Sequence, residues 1–325
     1  MSLNNTIQAD EPLILDHSMR QSYSNCHRKF LARYICGLHL WSPINKAGLD
    51  FGKAFHLCTE AFDHTQDFQQ AFGLFVDNYE CGPYEKKRTP ERAQELLNLY
   101  ADWAQLNKVT FKPHEIEVPF MVPLTDKVVH AGRIDRVRSD ENGVIPWEFK
   151  TTLRLYEKGT PDKYLRSWEA HNQTIGYAAP WSAPSVRLLA FGVEKTPKTT
   201  YPTTGDGMEV RDIEIQPWEL EDWRISTLSI ALEIRQKLKS WGHLSPSLAN
   251  PEETLKQVLT ERLHLQWERN TGECFSWNSA CPYLDLCTRD WPRGLVEQDY
   301  YVDGWKPYMG FVDGKVEEGE EDKGA

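Results

Sequence analysis

Two kinds of periodicity divide the chain. Up to about residue 107, apolar positions recur every three or four residues; from 114 to 152 they alternate with polar ones. Ser18, with Gln21 three positions on, has the form of a capping box and opens a predicted helix through SNCHRKFLARYI, which carries Cys26. Phe51, Phe55, Cys58 and Phe62 form the apolar stripe of a helix predicted over 49–62. Gly52, His56 and Glu60 lie on the adjacent stripe, four residues apart. Further helices are predicted over 66–79 and 90–107. The second has Pro90 near its start and Leu96, Leu97, Tyr100 and Trp103 as its buried face.

The alternating stretch predicts three strands, over 114–124, 127–138 and 143–152. A helix over 168–181, a strand over 186–196 and an additional strand over 208–215 follow. Helices over 217–241 and 252–269 lead into a cluster of cysteines. The central order of helix, three strands, helix and strand predicts an α/β fold: a mixed central sheet flanked by helices.

At 325 residues, 40% hydrophobic and 26% charged, the chain reads as soluble and globular, with one large domain and attached lobes. No apolar run approaches about eighteen residues, so no membrane span is expected. MSLNNTIQADEPLIL lacks a basic stretch followed by an apolar one, so the expectation is a cytoplasmic protein without a signal peptide. A net charge of −11 excludes a uniformly basic nucleic-acid surface and leaves room only for a local basic groove. The tail KVEEGEEDKGA, residues 315–325, contributes to that excess and is expected to be disordered. No G-x-x-x-x-G-K-[ST] loop is present, which excludes an ATP-driven motor of that type.

The candidate chemistry lies in HAGRIDRVRSDENGVIPWEFKTT, residues 130–152. DENG, residues 140–143, signals a turn between two strands. A four-residue loop sets Ser139 opposite Val144 and Asp135 opposite Glu148. A loop of Asn142 and Gly143 alone sets Asp135 opposite Lys150 instead. The two registers differ by two residues, so Asp135, Glu148 and Lys150 share a face either way, with opposed Cβ atoms about 5 Å apart. Trp147 and Phe149 then point to the core. Two carboxylates this close require a cation. Lys150 alone gives a structural cluster; a hard divalent ion with two carboxylates, a carbonyl and waters gives a hydrolytic site.

Gly132-Arg-Ile-Asp135 followed by Glu148-Phe-Lys150 resembles the core motif of PD-(D/E)XK nucleases in their RecB-like branch, with Ile134 in place of the proline. His56 in GKAFH, and Gln173 and Tyr177 in QTIGY, match the branch's upstream histidine and its Q-x-x-x-Y element. The resemblance covers roughly residues 18–290. It implies a restriction-endonuclease-like core and a DNA substrate. It also implies Mg²⁺ or Mn²⁺ held by His56, Asp135, Glu148 and the Phe149 backbone carbonyl. Lys150 would act in catalysis, Gln173 and Tyr177 would line the site, and Arg133, Gln173 and Tyr177 would contact DNA. Apart from the resemblance, His56 reads as a hydrogen-bonded structural histidine, Glu60 as a surface or supporting carboxylate, and Gln173 and Tyr177 as ordinary helix residues.

CFSWNSACPYLDLC spaces Cys274, Cys281 and Cys287 as C-x₆-C-x₅-C, and Cys26 is the candidate fourth ligand. In RecB-like nucleases of the AddB and CRISPR-associated types, one N-terminal and three C-terminal cysteines hold a [4Fe–4S] cluster. The CPYLDLC ending matches that pattern, but six residues separate the first pair where two are typical. Four thiolates suit iron–sulfur or zinc. Cys36, Cys58 and Cys81 read as packing residues.

The expected division is an N-terminal segment over 1–45, a nuclease core over 46–240, a cysteine lobe over 241–292 and an extension over 293–325. In this scheme both chain ends build a helical iron–sulfur lobe. Arg28, Lys29, Arg33, Arg133, Arg136, Arg138, Lys195 and Lys198 are candidate DNA contacts or solvated surface charges. The functional expectation is an exonuclease of DNA ends or single strands, working in recombination, repair or CRISPR adaptation, with a partner protein from such a system. The competing readings are an inactive DNA-binding module and an iron–sulfur protein that merely keeps the fold.

Overall fold

The computed structural model describes residues 12–41, 47–82, 85–140, 143–153, 155, 161–194, 207–241, 251–275, 280–304, 311–312 and 315–316. Lys195, Lys198, Glu141, Asn142 and the end of the acidic tail lie outside them.

The chain opens with β1 (Leu13–Leu15), α1 (His17–Asn25), α2 (His27–Phe30) and β2 (Leu38–Leu40). Three longer helices follow, α3 (Ala47–Thr65), α4 (Phe68–Asn78) and α5 (Pro90–Leu106). The strands β3 (Ile116–Thr125), β4 (Val128–Asp140) and β5 (Gly143–Thr152) come next, then α6 (Asp162–Arg166), α7 (Asn172–Ala178), β6 (Ser185–Gly192) and β7 (Met208–Glu214). The remainder comprises α8 (Pro217–Ser240), α9 (Pro251–Glu261), α10 (Leu284–Thr288), α11 (Arg293–Asp299), β8 (Tyr300–Val302), β9 (Phe311–Val312) and β10 (Lys315–Val316), so the first two residues of the tail expected to be disordered pair as a strand with β9. These elements form two compact units, neither of them a continuous stretch. One comprises residues 1–44, 119–133 and 225–325; the other comprises 45–118 and 134–224.

The second unit holds a mixed sheet and the long helices. β4 and β5 are antiparallel, with Arg136 opposite Trp147 and Ser139 opposite Val144; this is the register of the longer loop. β5 and β6 are parallel, and β6 and β7 antiparallel. Alternation along β5 sends Trp147 and Phe149 into a core with Phe51, Phe55 and Cys58 of α3 and Leu96, Leu97 and Tyr100 of α5. Phe149 meets Tyr100 edge-on at 5.4 Å, and Trp147 meets Phe111 at 5.1 Å. The opposite face of β5 is therefore left to Glu148 and Lys150. Asp67 caps α4 through hydrogen bonds from the Gln69 and Gln70 N–H groups, and Thr89 caps α5 ahead of Pro90.

In the first unit β1 pairs in parallel with the start of β4, and β2 pairs with β8. Gly132 makes room for Phe120: a Cβ there would lie 2.7 Å from the phenyl ring. The N-terminal helix departs from its sequence pattern twice. Asp16, not Ser18, is the cap, its Oδ1 accepting the Met19 N–H at 2.7 Å. The helix also breaks at Cys26, which is extended (φ −162°, ψ 112°). The flanking residues bond instead to a distant segment. The Arg28 N–H and Nε donate to the Glu268 and Trp267 carbonyls, and Asn270 Nδ2 donates to the Asn25 carbonyl. Helix α9 also stops early, where Arg262 adopts a left-handed backbone (φ 54°).

Candidate active site

Asp135 on β4 and Glu148 and Lys150 on β5 come together on the sheet face away from the aromatic core. Asp135 Oδ2 accepts the Phe149 backbone N–H at 2.7 Å, and its Oδ1 lies 3.6 Å from His56 Nδ1 of α3. Glu148, only 2% exposed, forms an ion pair with Lys150 through Oε1. Gln173 of α7 donates from Nε2 to Glu148 Oε1 at 3.0 Å and to the Tyr177 hydroxyl at 2.8 Å. The helix predicted over 168–181 begins only at Asn172, because the His171 side chain accepts the Gln173 N–H and the preceding residues form turns. That start still sets Gln173 and Tyr177 one turn apart on one face.

The charges in this pocket settle one another. Burial pushes Glu148 up, and Asp135 adds to the shift, so it titrates near 7 despite Lys150. Burial would also raise Asp135, but His56, Lys150 and the Phe149 N–H outweigh it and hold the group low, at about 2. Burial would lower His56 and Lys150, and in each case neighbouring carboxylates win and raise it.

Glu117 completes the group. Among the described residues, His56, Glu117 and Asp135 are the set whose ligand atoms all lie within 4.8 Å of one another. Carboxylate oxygens with one imidazole nitrogen suit Mg²⁺ or Mn²⁺. Glu148 Oε2 is buried and accepts no hydrogen bond among the described residues, as expected of an oxygen kept for a cation. The residues therefore fit a divalent ion. A family model of the PD-(D/E)XK nuclease superfamily matches residues 17–288.

The chain belongs to the PD-(D/E)XK nuclease superfamily. That superfamily comprises metal-dependent nucleases, and it implies DNA as substrate. No curated protein matched the sequence. Among the described residues of this nuclease, no helix is long and apolar enough to cross a membrane.

Sequence reasoning passed over Glu117. It sits at the start of β3 with φ +50°, a left-handed backbone that a non-glycine residue adopts only at a cost and often at a functional site. The alternation of HEIEVPF gives no sign of that turn. Arg136, read from sequence as a candidate DNA contact, is instead 1% exposed. Its Nε donates to Asp63 Oδ2 at 2.6 Å and its Nη1 to the Asp135 carbonyl at 2.5 Å, and Nη1 lies 3.6 Å from Glu117. Tyr100 donates to the other oxygen of Asp63 at 2.7 Å. Asp63 lies two turns beyond His56 on α3, so this buried pair fastens the histidine's helix to the aspartate's strand. Arg133 is exposed on β4. The amide N–H of Phe149 joins Asp135.

The four cysteines picked out in the sequence lie in the other unit; Cys281 is near Cys26, Cys274 and Cys287, but no three of the four thiols lie within 4.8 Å of one another. The Cys281 N–H donates to the Cys274 carbonyl at 2.8 Å, and Arg269 donates to the Cys287 carbonyl at 3.1 Å. Burial raises the Cys281 thiol, with Cys26 and Cys274 close enough to add to the effect. Cys287 is pushed up to about 11, by burial first and by Cys281 and Cys26 after it. Cys36 and Cys58 are fully buried among apolar groups.

Proposed function

We propose that this nuclease hydrolyses DNA phosphodiesters as an exonuclease of the RecB-like branch, using Mg²⁺ or Mn²⁺. The observation that carries the reading is the convergence of His56, Glu117 and Asp135 beside the buried Glu148–Lys150 pair. His56, Asp135, Glu148 and the Phe149 backbone carbonyl would hold the ion, with Glu117 added to that set named from sequence. Bound there, a divalent ion would lower the pKa of an attacking water and offset charge on a phosphoryl oxygen. The chain's own groups do the rest. The Phe149 N–H and His56 fix the direction of Asp135, and Gln173, braced by Tyr177, fixes Glu148. Lys150 offers its ammonium to the water and to the negative charge that develops.

Cys26, Cys274, Cys281 and Cys287 are proposed to carry a [4Fe–4S] cluster that joins segments far apart in sequence; zinc is the other metal that four thiolates suit. Recombination, repair or CRISPR adaptation is the proposed setting, with a partner protein from such a system. The test is purification without oxygen, iron and zinc analysis, and digestion of DNA blocked at its 5′ or 3′ end. The reading predicts iron, lost in Cys281→Ala, and cleavage that one of the blocks stops. Cleavage indifferent to both blocks contradicts an exonuclease, and zinc without iron contradicts the cluster.

A further inference from the structure

Lys150 has two close neighbours. One is Glu148. The other is an aromatic face: the Lys150 Nζ sits 5.3 Å from the centre of the Trp168 ring. Trp168 is itself bracketed. His171 packs against it at 4.5 Å, and Tyr164 stands at 62° to it at 6.3 Å. Tyr164 also lies close enough to Thr152, two residues beyond Lys150 on β5, to interact with it. His171 is the group that accepts the Gln173 N–H at the start of α7. One half-buried cluster of rings thus touches Lys150 and the turn that launches Gln173 and Tyr177.

We propose that Trp168 is a positioning residue for Lys150: its ring face keeps the ammonium aimed into the site. The inference rests on the nuclease reading above, in which Lys150 acts in the chemistry. A lysine stem has four rotatable bonds, so an ion pair with Glu148 by itself leaves the ammonium several orientations. A second carboxylate could hold it more strongly but would compete for a divalent ion. An aromatic face attracts the charge without adding an anion and without engaging an N–H as a conventional acceptor does. The Lys150 donors therefore stay available for water and phosphate.

The test compares Trp168→Leu, which keeps bulk without an aromatic face, with Trp168→Phe, which keeps the face. Both are checked for fold by circular dichroism and melting, then assayed on end-labelled DNA across Mg²⁺ concentrations. The expected result is a kcat lower by about 2- to 30-fold in the leucine variant, the range of a cation–π contact. KM and the Mg²⁺ half-saturation should hold within about 2-fold, and Trp168→Phe should recover most of the kcat. A folded leucine variant with full kcat, or a loss confined to KM or Mg²⁺ affinity, overturns the inference and leaves the nuclease reading standing. A leucine variant that fails to fold hands the decision to Trp168→Phe and Trp168→Tyr: equal loss in both, despite their aromatic faces, overturns it. A wild-type protein that cuts no DNA overturns the nuclease reading and this inference together.

Discussion

Asp135 accepts the Phe149 backbone N–H through Oδ2, at 2.7 Å, which leaves Oδ1 facing His56 Nδ1 at 3.6 Å. One oxygen is tied to the neighbouring strand and the other is presented to the site. Asp135→Asn keeps the shape but removes the charge. Calorimetric titration with Mn²⁺ should show affinity lower by about 100-fold or more, since even supporting groups around a metal are worth about 10- to 100-fold. Unchanged affinity would remove Asp135 from the ligand set.

The buried Glu148–Lys150 pair predicts a thermodynamic cycle in metal-free protein. Lys150→Met leaves a 2%-exposed carboxylate without its cation. Breaking a buried pair costs about 3–5 kcal/mol; because Lys150 is 24% exposed, about 2–3 kcal/mol is expected at pH 8. Adding Glu148→Gln should recover most of that loss, as measured by denaturant unfolding. Strictly additive losses would show that the two groups are not coupled.

Asp63 and Arg136, at 4% and 1% side-chain exposure, form a second buried pair that helps hold the site together. Asp63→Asn should cost about 3 kcal/mol, because the buried guanidinium keeps only the longer 3.6 Å contact with Glu117 as a counter-charge. Tyr100→Phe removes one hydrogen bond to the same carboxylate and should cost about 1–2 kcal/mol. Melting curves that rank the two variants the other way would contradict this arrangement.

What the sequence made legible follows from the range of each signal. Alternation is local, so the strands and the shared face of Asp135, Glu148 and Lys150 could be read, and so could the Phe51–Phe62 stripe beside His56. Glu117 could not, because its place depends on a left-handed residue inside an alternating run. The partnership of Asp63 and Arg136 spans 73 residues, and an arginine in a strand reads as exposed until its partner is seen. The break at Cys26 is likewise set by bonds to residues 267–270, and the turns before Asn172 by the cap from His171. The interleaving of the two units leaves no mark in composition.

His130, 2% exposed in the first unit, predicts the acid limb of stability. Burial, with Arg20 nearby, lowers its pKa from the usual 6.5 to about 3, against a hydrogen bond with the Leu15 backbone. The unfolded chain therefore binds a proton near pH 6.5 that the folded one refuses until about 3. Its stabilising contribution is complete above pH 6.5 and falls by up to about 1.4 kcal/mol per pH unit below it. His130→Gln should flatten the drop in melting temperature between pH 6.5 and 4. Parallel curves for wild type and variant would assign the acid limb to other groups.

The central claim is that one face of the β4–β5 hairpin cuts DNA through Asp135, Glu148 and Lys150 with a divalent ion. Digestion of end-labelled DNA under a Mg²⁺ titration, run on wild type, Glu148→Gln and Lys150→Ala, tests it most directly. Cleavage by the wild type that EDTA abolishes, reduced by about 100- to 1,000-fold or more in each folded variant, is the predicted result. Digestion at the wild-type rate by either variant, or wild-type cleavage indifferent to EDTA, would contradict it.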